Sequence, residues 1–125
     1  MTYAELNALL VNRVPASKGT LDELRRLDPD DEPGSYLVYG FFTREVADAL
    51  RASDHPPWMK AYFDLAEELA SSPDVSCHDL AVISMCEHLV CEPALYEAAK
   101  RYMGSATLNA CEEARTGLGI GPNEQ

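Results

Sequence analysis

Cysteine and histidine are the residues of this chain best suited to bond making or metal binding, and five of the seven fall close together: Cys77-His78, then Cys86, His88 and Cys91. Structural zinc takes four sulfur or nitrogen donors in a tetrahedron, so the donor types are present. Their spacing argues otherwise. No Cys-x-x-Cys pair supplies an anchor, and on one helix Cys86 and Cys91 point about 140° apart. A thiolate nucleophile needs an imidazole facing it, whereas sequence neighbours such as Cys77 and His78, or Cys86 and His88, do not face each other on a helix. The four cysteines, Cys111 included, therefore read as reduced thiols that pack as small apolar residues.

Adjacent carboxylates at Glu67-Glu68 and Glu112-Glu113 have the residue types for acid–base work. They equally provide the solvated face that an amphipathic helix requires, and that reading is adopted. There is no glycine-rich phosphate loop, no Gly-x-Ser-x-Gly and no His-Glu-x-x-His. Gly117, Gly119 and Gly121 lie in a tail, not between a strand and a helix. No enzyme, metal or cofactor is expected.

The elements that would position these residues are helices. Thr2 with Glu5 and Thr20 with Glu23 have capping-box spacing and mark two helix starts. Tyr3, Leu6, Leu10 and Val14 make an apolar stripe that Pro15 ends, giving a first helix over about residues 3 to 14. Leu21, Leu24 and Leu27 define a shorter second, closed by the acidic loop Asp28-Pro29-Asp30-Asp31-Glu32-Pro33-Gly34. The run from Tyr36 to Phe42 is apolar enough for a buried strand. Extending the window puts Val38, Tyr39, Phe42, Val46, Ala49 and Leu50 on one arc, which predicts a helix over roughly 36 to 52. Trp58, Tyr62, Leu65, Ala66 and Leu69 form the inner side of a fourth helix, with Asp64, Glu67 and Glu68 outside.

Asp74 or Ser76 would cap a fifth helix reaching about Cys91, apolar around almost its whole circumference and therefore central. Glu87 is the exception on it, and a carboxylate there needs Arg44, Arg51 or a helix N-terminus as its partner. Pro93 opens a sixth helix, a last one runs from about Ala106 to Arg115, and residues 116 to 125 should fray. The fold class expected is all-α, with six to seven helices packed as antiparallel hairpins around the helix at about 75 to 91. A length of 125 residues suits one domain, comprising an N-terminal hairpin and acidic loop (1–35), a main helical core (36–115) and the tail.

The formal charge is −11, from 10 Lys and Arg against 21 Asp and Glu. That balance repels phosphate backbones and anionic lipids, so neither nucleic acid nor a membrane surface is an expected partner. No apolar run approaches the roughly 20 residues of a membrane helix, and the N-terminus lacks a basic region followed by an apolar stretch. A soluble, cytoplasmic chain is expected. The acids of the loop (Asp30, Asp31, Glu32) and of the fourth helix (Asp64, Glu67, Glu68) are the candidate contacts for a basic protein partner. On that reading the chain itself is a monomer or weak homodimer; an alternative is a structural or adaptor domain that self-associates through aromatics such as Phe41 and Tyr96.

Tyr36-Leu37-Val38-Tyr39-Gly40 opening one helix, the central run from Leu80 to Leu89, and Tyr102-Met103-Gly104-Ser105-Ala106-Thr107 at the last junction resemble small acidic all-helical bacterial proteins, among them immunity proteins of polymorphic toxin systems. The resemblance covers most of residues 36 to 115. It implies a non-enzymatic inhibitor that neutralises a cationic toxin, such as a nuclease, by binding it. Immunity proteins are not defined by catalytic residues, so no active site is carried over.

Overall fold

The computed structural model describes residues 1–120, and among these the chain is all-helical. Seven helices follow in order: α1 (Tyr3–Arg13), α2 (Lys18–Leu27), α3 (Ser35–Arg51), α4 (Trp58–Ala70), α5 (75–90), α6 (Pro93–Lys100) and α7 (Ser105–Gly117). The all-α class expected from the periodicity is the one observed.

The capping box at the start of α1 forms as its spacing predicts: the Glu5 amide donates to Thr2 Oγ1 at 3.1 Å and the Thr2 amide donates to Glu5 Oε1 at 2.8 Å. The second box does not form. A tight turn at Pro15–Ser17 feeds directly into α2, which begins at Lys18, so Thr20 lies inside the helix rather than before it. Its hydroxyl donates to Glu45, and Glu23 pairs with Arg26. Only the front of the leucine stripe is used: Leu21 is buried, whereas Leu27 is 75% exposed where α2 gives way to the loop.

α3 buries Val38, Tyr39, Phe42, Val46 and Leu50, and α4 buries Met59, Tyr62, Phe63, Leu65, Ala66 and Leu69. Rings touch in series from Trp58 through Phe42, Tyr62 and Phe63 to Tyr102, tilted or edge-to-face except for the stacked Phe63–Tyr102 pair, at centroid separations between 5.1 and 5.8 Å. The two enclosed phenols keep their hydroxyls satisfied. Tyr39 donates to the Leu6 carbonyl at 2.6 Å, and Tyr62 shares a 2.5 Å hydrogen bond with Thr43. Burial pushes both phenols above their ordinary range, so they remain neutral donors.

α5 is the central helix, packing against α3, α4, α6 and α7. Asp74 caps it, accepting from the Ser76 amide at 2.9 Å. Over Ala81–Cys86 the helix widens to a π turn, with α-helical winding on either side. Its circumference is not closed as the composition suggests: Ile83 is 46% exposed, and Glu87 and His88 are half-buried on the same side. At the other end of the chain, α7 continues through Thr116 and Gly117, beyond the expected end at Arg115. The Leu118, Gly119 and Ile120 amides donate back to the Ala114, Thr116 and Arg115 carbonyls at 3.0, 3.1 and 2.8 Å, so the chain just beyond α7 turns on itself where fray was expected; residues 121–125 lie outside those described.

Candidate functional site

The thiols and imidazoles that could have formed a reactive centre are dispersed. Cys77, Cys86 and Cys111 are buried and all four cysteines are free. The neighbouring Cys111 thiol together with burial holds Cys86 in the protonated form, the opposite of nucleophile activation. Cys91 departs from the packing expectation and is exposed, its Sγ donating to the Glu87 carbonyl at 3.1 Å. His78 is engaged at both ring nitrogens, Nδ1 with the Ala70 carbonyl at 2.7 Å and Nε2 with Glu113 at 2.9 Å. Two acceptors on one ring require the imidazolium, and the Glu113 carboxylate raises the His78 pKa accordingly. His55 is exposed, as a loop residue should be, and meets the Tyr102 hydroxyl at 2.7 Å. Among the described residues no three His, Cys, Asp or Glu side chains gather as metal ligands.

The six acids named as candidate contacts, three on the loop and three on the fourth helix, have separate roles. Asp30 and Asp31 are exposed at the loop between α2 and α3. Glu32 turns inward and accepts two hydrogen bonds from Arg25, at 3.0 and 2.9 Å, and one from Asn7 Nδ2 at 2.9 Å. Asn7 is itself fully buried and also donates to the Pro33 carbonyl at 2.9 Å, so Glu32 pins the loop to α1. The Arg25 guanidinium, with Asn7, holds the Glu32 carboxyl below its ordinary range.

Glu67 turns from the solvated face of α4 toward a neighbouring helix and is half-buried. Its carboxylate reaches the N-terminus of α7 and accepts from the amides of Ala106 at 3.0 Å and Thr107 at 2.9 Å, and from the Thr107 hydroxyl at 2.8 Å. Partial burial pushes its pKa up, but these donors outweigh the burial and hold it below the ordinary value. Gly104 makes the approach possible: a Cβ there would stand 2.6 Å from the Glu67 carboxylate. Glu68 is paired with Arg13 of α1, and Asp64 with Lys60 at 2.8 Å. The helix-four surface named in the sequence is therefore largely compensated within the chain.

The open side of α5 faces an exposed side of α3, and between them lies a groove of about 400 Å³. Its apolar lining is Tyr36, Leu37 and Phe41 from α3, Ile83 from the π segment, and Leu118 just beyond α7. Nine large apolar side chains are exposed among the described residues, and five of them meet here, which makes this a patch rather than scatter. The Ser84 hydroxyl donates to the Tyr36 carbonyl at 2.9 Å and ties the two walls together. Arg44 lies 4.9 Å over the Phe41 ring on one wall, and Glu87 and His88 stand on the other.

Glu87 does not find the partner expected of it. Arg51 is committed to Glu92 and Asp48, and Arg44 makes no ion pair among the described residues. Tyr96, expected at a surface, is instead buried, its hydroxyl donating to Glu112 at 2.6 Å. The groove was not singled out in the sequence, although its signal is there: the apolar run 36–42 is too continuous for one buried face of a helix.

A family model described as Domain of unknown function (DUF7674) matches residues 7–118. No curated protein and no solved structure matches the chain.

Proposed function

We propose that this chain, a member of the DUF7674 family, is a non-enzymatic binding protein of the inhibitor or immunity type, acting in the cytoplasm on a cationic protein partner such as a toxin domain. One observation carries the reading. Of the ten Lys and Arg residues, eight are paired with carboxylates of the same chain, namely Arg13, Lys18, Arg25, Arg26, Arg51, Lys60, Lys100 and Arg115. Arg25 and Arg26, the cations nearest the loop in sequence, are spent on Glu32 and Glu23. Asp28, Asp30 and Asp31 keep their charge facing solvent on a segment that Glu32 and Asn7 anchor to the body.

A fixed anionic loop loses less conformational freedom on docking than a mobile one, and its uncompensated charge steers a basic partner toward it. Asp30 and Asp31, with Asp28, are thus the contact residues, Glu32 and Glu67 are positioning residues, and Asp64 and Glu68 are exposed charges whose weak internal pairs a partner cation can displace. Titration calorimetry of the full chain against the protein encoded beside it in the native genome tests this at about 50 and about 300 mM salt. Affinity should fall by roughly tenfold or more with salt, and again in Asp28→Asn/Asp30→Asn/Asp31→Asn. Salt-insensitive binding that the triple variant retains, or no binding at all, overturns the reading.

A further inference from the structure

The groove between α3 and α5 is distinct from the anionic loop in chemistry as well as position. A helix that is apolar all round is normally covered on all sides. Over its first two turns α3 is apolar on both sides yet covered on one: Val38, Tyr39 and Phe42 face the core, while Tyr36, Leu37 and Phe41 face outward. Gly40 lies between them on that outward stripe, and a Cβ added there would meet nothing within 4 Å. A glycine inside a helix costs about 1 kcal/mol relative to alanine, and its packing return is close approach by another backbone. No segment of this chain among the described residues occupies that space.

The polar groups identify the occupant. The α3 wall carries Arg44, which makes no ion pair among the described residues, and the α5 wall carries Glu87, whose half-buried carboxylate makes no hydrogen bond among them. One groove thus holds an uncompensated charge of each sign, on opposite walls. A cationic partner would match Glu87 and clash with Arg44, and an anionic one the reverse. A second copy related by a two-fold axis satisfies both, because an isologous interface sets each wall against the other wall of its mate.

We propose that this groove is a homodimer interface in which the exposed stripe of α3 packs into the groove of a second copy and Arg44 of each chain pairs with Glu87 of the partner subunit. Phe41, Leu37 and Ile83 form its apolar centre, and Gly40 sets the distance of approach.

Sedimentation equilibrium of the full chain over a dilution series from about 1 to about 500 µM reads the association directly, since this range brackets the affinity of modest interfaces. A reversible dimer is expected, persisting at about 0.5 M salt because its apolar centre is not screened. Arg44→Glu and Glu87→Arg should each weaken it roughly tenfold or more, while the double variant, which restores opposite charges across the axis, returns to within about threefold of the original. Gly40→Gln should be monomeric yet, at dilutions where both chains are monomeric, melt no lower than the unmodified chain, because it improves helix propensity and its Cβ meets no internal atom. The Asp28→Asn/Asp30→Asn/Asp31→Asn variant should dimerise normally, so failure of the loop reading leaves this one standing. A chain monomeric throughout, a dimer indifferent to Gly40→Gln, or charge reversals that do not rescue each other would overturn the proposal.

Discussion

Two acidic stretches look alike in the sequence, residues 28–32 and residues 64–68, and the fold treats them in opposite ways. In the first, one acid of the four, Glu32, is drawn inward to hold the loop, and three aspartates stay exposed. In the second, every acid is engaged: Asp64 by Lys60, Glu67 by the α7 N-terminus and Glu68 by Arg13. A run of carboxylates is a docking surface only where the tertiary structure leaves it without cations or amide donors. Acidity alone does not distinguish an interface from a cap.

Stability measurements should separate the two stretches most clearly at Glu67. Glu67→Ala removes the acceptor for two helix-start amides and leaves the buried Thr107 hydroxyl without its partner, so urea unfolding should show a loss of about 1–2 kcal/mol. Asp30→Asn/Asp31→Asn should stay within about 0.5 kcal/mol in the same assay, as surface substitutions do. Equal losses would erase the contrast. Gly104→Ala tests the same contact from the other side. Its Cβ must displace the Glu67 carboxylate, costing about 1 kcal/mol, and the double variant with Glu67→Ala should lose much less than the sum.

Glu32→Ala should cost about 1 kcal/mol, because Asn7 keeps one of its two acceptors, the Pro33 carbonyl. Hydrogen exchange of residues 28–34 should rise at the same time, since the anchor of the loop is gone; unchanged exchange would mean that the two prolines alone hold it. The pH dependence has a definite sign. Glu67 and Glu32 are both lowered in the folded chain, so their contribution is present above the unfolded carboxylate range and is lost as pH falls through their folded values. The unfolded chain then binds more protons than the folded one, and the unmodified protein should lose stability on acidification more steeply than Glu67→Gln does. His78, raised by Glu113, runs the other way: its contribution is present below its unfolded value and is lost as pH rises through the folded one. A small effect also belongs to the exposed pair Arg13 with Glu68, where Glu68→Ala should lose little stability in urea unfolding and still less in high salt.

Legibility followed the separation of the interacting groups. The capping box at Thr2 and Glu5 is a contact between residues three apart, and it formed; the equivalent pair at Thr20 and Glu23 failed because the preceding turn moved the helix start to Lys18. The α3 helix could be read through an ambiguous apolar run because the window 36–52 carried a consistent period. Glu67 could not be read as a cap, since its donors are 39 and 40 residues away and its own neighbours fit a solvated face. The groove was legible only as an excess, the apolar residues of 36–42 that one buried side could not absorb, and Leu118 joined it from the far end of the chain.

The sequence by itself determined a helical chain with a negative surplus and a central helix near residues 75–91, because helix period, capping chemistry and net charge are local or additive properties. Tertiary structure alone decided which carboxylates keep their charge outward, that α5 widens into a π turn with one side open, and that Arg44 and Glu87 share a groove without pairing. Those outcomes depend on distances between residues far apart along the chain, and such distances are set only when the helices pack.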